Sequence, residues 1–442
     1  MGDTRVSVSF SLDAFHRHRL IVSLIAEELG RLRQREIAPS ESLSWTDATL
    51  LGEDEASTPD INRLNAQNLG VDSRGLDSRG LASLGLDSLG RIDVAARVNQ
   101  FFHLHDVGIE DYLLIEKTIG RWNFIVGEAF KHKCERVTFQ TSGSTGVPKT
   151  SEHEIENLLV EARELVEVLQ SPRRIISMVP PHHIYGFIFT VLFPALMQID
   201  VVDGRNLAPG KLRVLLADGD MIVATPHLWR YLATSLVSFP DGVTGTTSTA
   251  PMPLHLADEL KTKNLLHLTE IYGSTETAGI GWRNDPRAAF KLFEAWNVSD
   301  DRDALYRTLQ SDRADATAFG PAIPFVDQVE FEGNRGLRPV GRRDGAVQVG
   351  GVNVFPERVK QLLESHDAVA EVAVRSFFVG GDMARQRLKA FVVPRVVSDL
   401  ASLERSLRSH AAERMTTLEQ PAAYAFGEAL PRTPLGKLMD WS

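Results

Sequence analysis

A run of hydroxyls and glycines closed by a lysine, Thr141-Ser142-Gly143-Ser144-Thr145-Gly146-Val147-Pro148-Lys149, directly follows a β-prone stretch at 136–141. Glycines at 143 and 146 permit tight turns, so backbone amides and the hydroxyls of Ser142, Ser144 and Thr145 can surround phosphate oxygens while Lys149 adds charge. This chemistry suits a nucleoside triphosphate, although the same composition also makes a plain surface loop. It is not a Walker loop, because the Gly-Lys-Ser/Thr ending is missing. A second run, Ile271-Tyr272-Gly273-Ser274-Thr275-Glu276, follows another β-prone stretch at 265–272. Its ring can stack on a nucleobase, or serve as a core ring with a satisfied hydroxyl, and Glu276 offers oxygen to a hard cation.

Together the two runs resemble the acyl-adenylate-forming superfamily of acyl-CoA synthetases, nonribosomal-peptide adenylation domains and beetle luciferases. The resemblance continues in order over 136–437. It implies an ATP-dependent, Mg2+-assisted ligase that converts a small carboxylic acid to its acyl-adenylate and passes the acyl group to a pantetheine thiol of CoA or of an acyl carrier protein. In those terms Thr141, Ser142, Gly143, Ser144, Thr145, Gly146 and Lys149 hold the triphosphate, Tyr272, Gly273 and Thr275 hold the nucleotide, and Glu276 with Thr145 holds the metal. Val179-Pro180-Pro181-His182-His183-Ile184-Tyr185-Gly186 is similar to the segment bordering the acyl pocket, with His183 at the gating position. Thr249-Ala250-Pro251-Met252-Pro253 is similar to the loop facing the substrate carboxylate. Gly341-Arg342-Arg343-Asp344 resembles the junction with a small domain, which puts Arg342 on the ribose and makes Asp344 the hinge. Pro431-Arg432-Thr433-Pro434-Leu435-Gly436-Lys437 resembles the C-terminal loop whose lysine reaches the carboxylate and the α-phosphate. Catalytic roles thus fall on Lys437, His183 and Glu276. The residue types fit the reaction: carboxylate attack on a phosphate brings anions together, and an amine and a cation offset that charge while holding the groups in line.

The chain departs from the family pattern in several places. The usual Thr-Gly-Asp ribose motif is absent between Glu276 and Gly341, and Asp327 in Pro324-Phe325-Val326-Asp327 is the expected substitute. Gln348 stands where a lysine is common, and Arg358 where a glutamate is expected. The block at 341–356 most resembles compact aryl-acid ligases of bacterial pigment and aryl-polyene pathways, such as those that activate hydroxybenzoate.

Ahead of the phosphate-loop candidate, Leu84-Gly85-Leu86-Asp87-Ser88-Leu89 and the helical pattern after it resemble an acyl carrier protein, which implies Ser88 as a phosphopantetheine attachment site. Asp87 and Ser88 are equally suited to capping a helix. A carrier or interaction module with a degenerate ligase portion is therefore the competing reading.

These motifs need elements to position them. Apolar residues at three- and four-residue spacing predict a helix at 13–37, and a second helix is predicted at 89–102. Between them the Ser-, Asp- and Gly-rich stretch 39–84, with its repeated Asp-Ser-Arg-Gly, reads as a mobile connection. Strands expected at 136–141, 174–180, 221–225 and 265–272 alternate with helices such as 154–169, which is an α/β texture. Strands at 370–376 and 388–393 with a helix at 399–418 predict a small α+β unit. The expected architecture is a helical carrier-like region at 1–135, an α/β adenylate-forming domain at 136–341 and an α+β lid at 342–442.

Composition sets the outer bounds. The chain has 442 residues, 43% hydrophobic and 24% charged, enough for two or three domains. A net charge of −10 argues against nucleic acid or an anionic membrane as a partner. The stretch 187–202 is too short and too interrupted to span a bilayer. Cys134 is the one cysteine, which excludes an intrachain disulfide, fits a cytoplasmic location and predicts a buried spectator.

Overall fold

The computed structural model describes residues 12–52, 83–132, 134–141, 149–169, 171–309, 318–343, 345–379, 386–396, 399–431 and 439–441. Outside these lie Ser142, Gly143, Ser144, Thr145, Gly146, Asp344 and Lys437, and of Thr141 and Arg342 only the backbone is described. Two compact units divide the chain, one drawn from 1–140 and 150–223, the other from 141–149 and 224–442.

In the first unit the predicted helix starts at Ala14, where the Asp13 side chain accepts the His16 N–H, and runs to Leu32. It stops short of 37 because Gln34 adopts a left-handed backbone, φ 51°. Its apolar stripe, Leu20, Ile21, Leu24 and Ile25, is fully buried against the helices Ser88–Phe102 and Ile119–Lys131. Each such side chain contributes about 1.5–3 kcal/mol by leaving water, so this seam stabilises the helical region as a packed body. The expected mobile connection is corrected at both of its ends. Pro39–Ser42 is a short helix, and Leu50–Gly52 pairs in parallel with Ser83–Leu86, because Leu50, Leu51, Leu84 and Leu86 are all buried. Residues 53–82 lie outside the described ones.

The same unit carries three parallel strands in the order Asp200–Asp203, Arg174–Ser177, Asp220–Val223, with the helix Ile155–Val168 among its connections. Arg136–Thr141 pairs with Lys149–Glu154, so the hydroxyl-rich run begins at a strand end, as expected. Cys134 is buried with its thiol 2.5 Å from the Phe102 carbonyl, and burial pushes its pKa up to about 11, which fits an inert role.

In the second unit, Thr244–Thr247 runs parallel to His267–Ser274, and antiparallel neighbours come next in the order Ala278–Arg283, Phe290–Leu292, Gly336–Arg342, Asp327–Glu332. A small sheet pairs Trp296–Val298 with Ala304–Leu309. The C-terminal portion sets the strands Val369–Phe378, Gln386–Pro394 and Ala423–Phe426 against the helices Pro356–Glu364 and Leu400–Arg414, around Val354, Val359, Leu363, Leu388, Val392 and Leu407. The last helix ends four residues before 418, where Met415 turns extended and is buried.

Candidate active site

The strand His267–Ser274 turns back at Thr275, Glu276 and Thr277 into Ala278–Arg283. Three contacts hold the tip. Ser274 and Thr277 exchange hydrogen bonds, with the Ser274 N–H 3.1 Å and the Ser274 hydroxyl 3.1 Å from Thr277 Oγ1. Arg307, buried over the Trp296 ring at 4.3 Å, donates to the Thr277 carbonyl at 3.1 Å. Gly273 sits so close to the returning strand that a Cβ there would lie 2.0 Å from the Ala278 carbonyl oxygen, so no other residue fits. Thr275 is half-buried, and Glu276 is exposed at the tip.

Four places along the sheet order from the Tyr272 strand, Asp327 opens the strand Asp327–Glu332 directly across from Arg342. The Tyr272 hydroxyl donates to Asp327 Oδ2 at 2.7 Å, and the Tyr272 ring lies 5.4 Å from that of Phe290. Arg343 fixes the neighbouring backbone by donating from Nε to the Asp327 carbonyl at 3.2 Å. The expected nucleotide residues Tyr272, Gly273, Asp327 and the backbone of Arg342 are therefore brought together. Lys149 is exposed at a strand start.

Sequence reasoning passed over Glu270, two positions before Tyr272 on the same strand. Its carboxylate is buried; Oε1 accepts the Met252 N–H at 2.9 Å and Oε2 accepts Arg283 at 2.7 Å. Burial raises its pKa above the ordinary value and Arg283 only partly offsets this. The pair thus ties the Pro251-Met252 loop to the Tyr272 strand. An acidic residue inside a β-prone run, with an arginine on the next strand, was the available signal.

In the first unit His183 precedes the short helix Ile184–Phe187, and its ring packs 4.4 Å from that of His182. His183 has an exposed face, yet crowding protein and the adjacent His182 push its pKa down to about 3, so it is a neutral imidazole. His182 is buried, with Nδ1 2.7 Å from the Ser23 hydroxyl and Nε2 3.3 Å from Glu27. Glu27 also accepts Arg97 at 2.8 and 3.0 Å. Its carboxyl is desolvated, but the His182 and Arg97 charges outweigh this and hold it well below the usual range. Gly186 closes the motif: a Cβ there would lie 1.9 Å from the Pro180 carbonyl oxygen. Glu27 and Arg97, from distant helices, were invisible to motif reading. Ser88 is exposed at the first turn of its helix, where the Asp87 side chain accepts the Gly90 N–H at 2.7 Å.

Against known proteins, the family model for AMP-binding enzyme matches residues 137–307 and that for the AMP-binding enzyme C-terminal domain matches 359–437. A 4-coumarate–CoA ligase of Rhodobacter capsulatus is 38% identical over 433 residues, 96% of this chain and 99% of that protein. The chain belongs to the AMP-binding enzyme family. A 4-coumarate–CoA ligase of Halorhodospira halophila is a further relative of this AMP-binding enzyme, 39% identical over 349 residues, 79% of this chain and 86% of that one. Among solved structures, o-succinylbenzoate CoA synthetase from Bacillus subtilis shares the fold with a TM-score of 0.55 at 18% identity, covering 95% of this chain and 90% of that one. The AMP-binding enzyme has no helix among its described residues long and apolar enough to cross a membrane.

Proposed function

We propose that this AMP-forming acid–CoA ligase activates an aryl acid of the 4-coumarate class, with hydroxybenzoates as the neighbouring possibility, and that CoA rather than a carrier protein receives the acyl group. The observation that carries the reading is the identity shared with 4-coumarate–CoA ligases across nearly the whole chain, joined to the Tyr272–Asp327 bond beside Arg342.

In this reading Tyr272 and Gly273 form the wall for the base, while Asp327 and Arg342 take the ribose. Residues 141–146 and Lys149 take the phosphates. Thr275 shapes the adenylate side, and Lys437 neutralises the carboxylate and α-phosphate as they meet. Glu276, exposed on a tip held by the Ser274–Thr277 hydrogen bonds, fits an oxygen ligand for Mg2+, with Thr145 as second donor. Bound there, the ion would offset phosphate charge. His183 is the neutral, polar gate of the acid pocket. The division into 1–135, 136–341 and a lid at 342–442 turning about Asp344 belongs to the same proposal. The N-terminal helices act as part of the ligase scaffold: a relative named as a ligase aligns over 96% of the chain, and Asp87 serves Ser88 and its helix as a cap. Carrier modification at Ser88 is the second reading, and unchanged intact mass after treatment with a phosphopantetheinyl transferase would remove it.

The decisive experiment is acid-dependent exchange of pyrophosphate into ATP with 4-coumarate, 4-hydroxybenzoate and a fatty acid, followed by CoA thioester formation. Exchange highest with 4-coumarate and lost in Lys437→Ala is expected. No exchange with any acid would overturn the reading.

A further inference from the structure

The turn Leu104–Val107 and the residue before it carry His103, His105 and Asp106, which the ligase chemistry does not use. Their donor atoms lie within 4.8 Å of one another. His103 Nδ1 is 3.6 Å from Asp106 Oδ2, and His105 Nε2 is 3.4 Å from Asp106 Oδ1. Tetrahedral coordination at the usual metal–nitrogen length places donors ~3.3 Å apart, which the two nitrogen–oxygen separations approach and toward which the full set, within 4.8 Å, would contract.

The outer contacts fix the metal-ready tautomer of His105 and are compatible with that of His103. His103 Nε2 is 2.7 Å from the Thr138 hydroxyl, and His105 Nδ1 is 3.3 Å from Asn99 Oδ1, an oxygen that only accepts. With those nitrogens protonated, the other nitrogen of each ring presents a lone pair to the same carboxylate. His103 is 94% buried by its 6% exposure, and its Nδ1 has no hydrogen-bond partner. Unprotonated, that nitrogen turns a lone pair toward the Asp106 carboxylate, an arrangement that a cation between them would relieve. Second-contact partners that orient imidazoles in this way are what metal sites require.

We propose that His103, His105 and Asp106 bind a zinc-class divalent cation, with water completing the coordination. Two imidazoles and a carboxylate are the borderline donor set that suits such an ion. The local charge favours it, since Arg136 is shared between Asp106 at 2.6 Å and Glu152 at 2.5 Å, leaving an excess of negative charge. Glu27, His182 and His183 gather similar donors, but there Arg97 already neutralises the single carboxylate. Because the turn directly continues the helix Ser88–Phe102 and His103 reaches the strand Arg136–Thr141, a bound ion would pin the helical region to that strand.

The test is calorimetric titration of the metal-free, full-length protein with zinc sulfate, with cobalt(II) absorption reporting coordination. Binding of one equivalent and a zinc-dependent rise in Tm are expected. His105→Ala and Asp106→Asn, at solvent-facing positions, should each weaken binding by about 100-fold, and Asn99→Ala by about 10-fold. Circular dichroism of the metal-free variants checks that they fold. Absence of stoichiometric binding, or the same affinity in folded His105→Ala and Asp106→Asn proteins, would overturn the site whatever the fate of the ligase reading, because adenylation is not the readout.

Discussion

The Tyr272 hydroxyl donates to Asp327 at 2.7 Å, across 55 residues of sequence, and so locks the aromatic wall of one strand to the carboxylate that opens another. Asp327 is 9% exposed, so the carboxylate that takes this hydrogen bond is largely shielded from water. A hydrogen bond to a charged group is worth about 1.5–3 kcal/mol. Tyr272→Phe and Asp327→Asn should therefore raise KM for ATP by about tenfold or more, with a smaller change in kcat. Initial-rate exchange assays at varied ATP check this, and unchanged KM in both variants would take Asp327 off the ribose.

Removing Arg283 leaves the Glu270 carboxylate buried without its partner. Arg283→Met should cost about 3–5 kcal/mol, read from urea unfolding. The pH dependence follows from the raised pKa of Glu270. The folded carboxyl holds its proton more tightly than the unfolded one, so its contribution is most favourable below the ordinary 4.5 and is lost as pH rises through the higher folded value. The deficit of Arg283→Met relative to wild type should accordingly be larger at pH 7.5 than near pH 5. A pH-independent deficit would point to packing alone.

His183 titrates in the opposite sense. Its folded pKa of about 3 lies below the ordinary 6.5, so between those values the unfolded chain takes up a proton that the folded chain refuses. Stability is complete above 6.5 and falls as pH drops toward 3. His183→Asn should flatten that slope between pH 6.5 and 5 in urea titrations, and an identical slope would remove His183 as its source.

Lys389 anchors residues just beyond Lys437 in the sequence. It donates to the Trp441 carbonyl, pairs with Asp440 at 2.8 Å and lies 5.3 Å from the Trp441 ring centroid, while the Met439 N–H donates to Pro431 at 2.7 Å. Lys389→Met should slow adenylation by about tenfold or more through misplacement, and leave thioester formation from supplied acyl-adenylate nearly intact. Hydrogen exchange at 439–441 should rise in parallel; equal loss of both half-reactions would argue for general destabilisation instead.

The strands and helices around the motifs were legible because period and chain punctuation act locally. The helix at Ala14–Leu32 and the strand at His267–Ser274 follow directly from their own residues. Asp327 was legible as a candidate from its distance to Gly341, but its bond to Tyr272 was not, since sheet order decides which strands meet. Glu27, Arg97 and Glu270 were missed for the same reason: each is an ordinary charged residue until tertiary packing gives it a buried partner. The 39–84 stretch was misread at its ends because a polar composition concealed the few leucines that seat Leu50–Gly52 beside Ser83–Leu86.

Glu270 makes a mechanical strut of one side chain, since one oxygen grips the Met252 amide and the other grips Arg283 while its own strand carries Tyr272. In the proposed function, where that strand docks the nucleotide and the Pro251-Met252 loop faces the acid, a shift of the strand would be passed to the loop through this one side chain. The two substrates should then bind interdependently, each improving the affinity of the other by the same factor, and shortening the strut with Glu270→Asp should bring that factor toward unity.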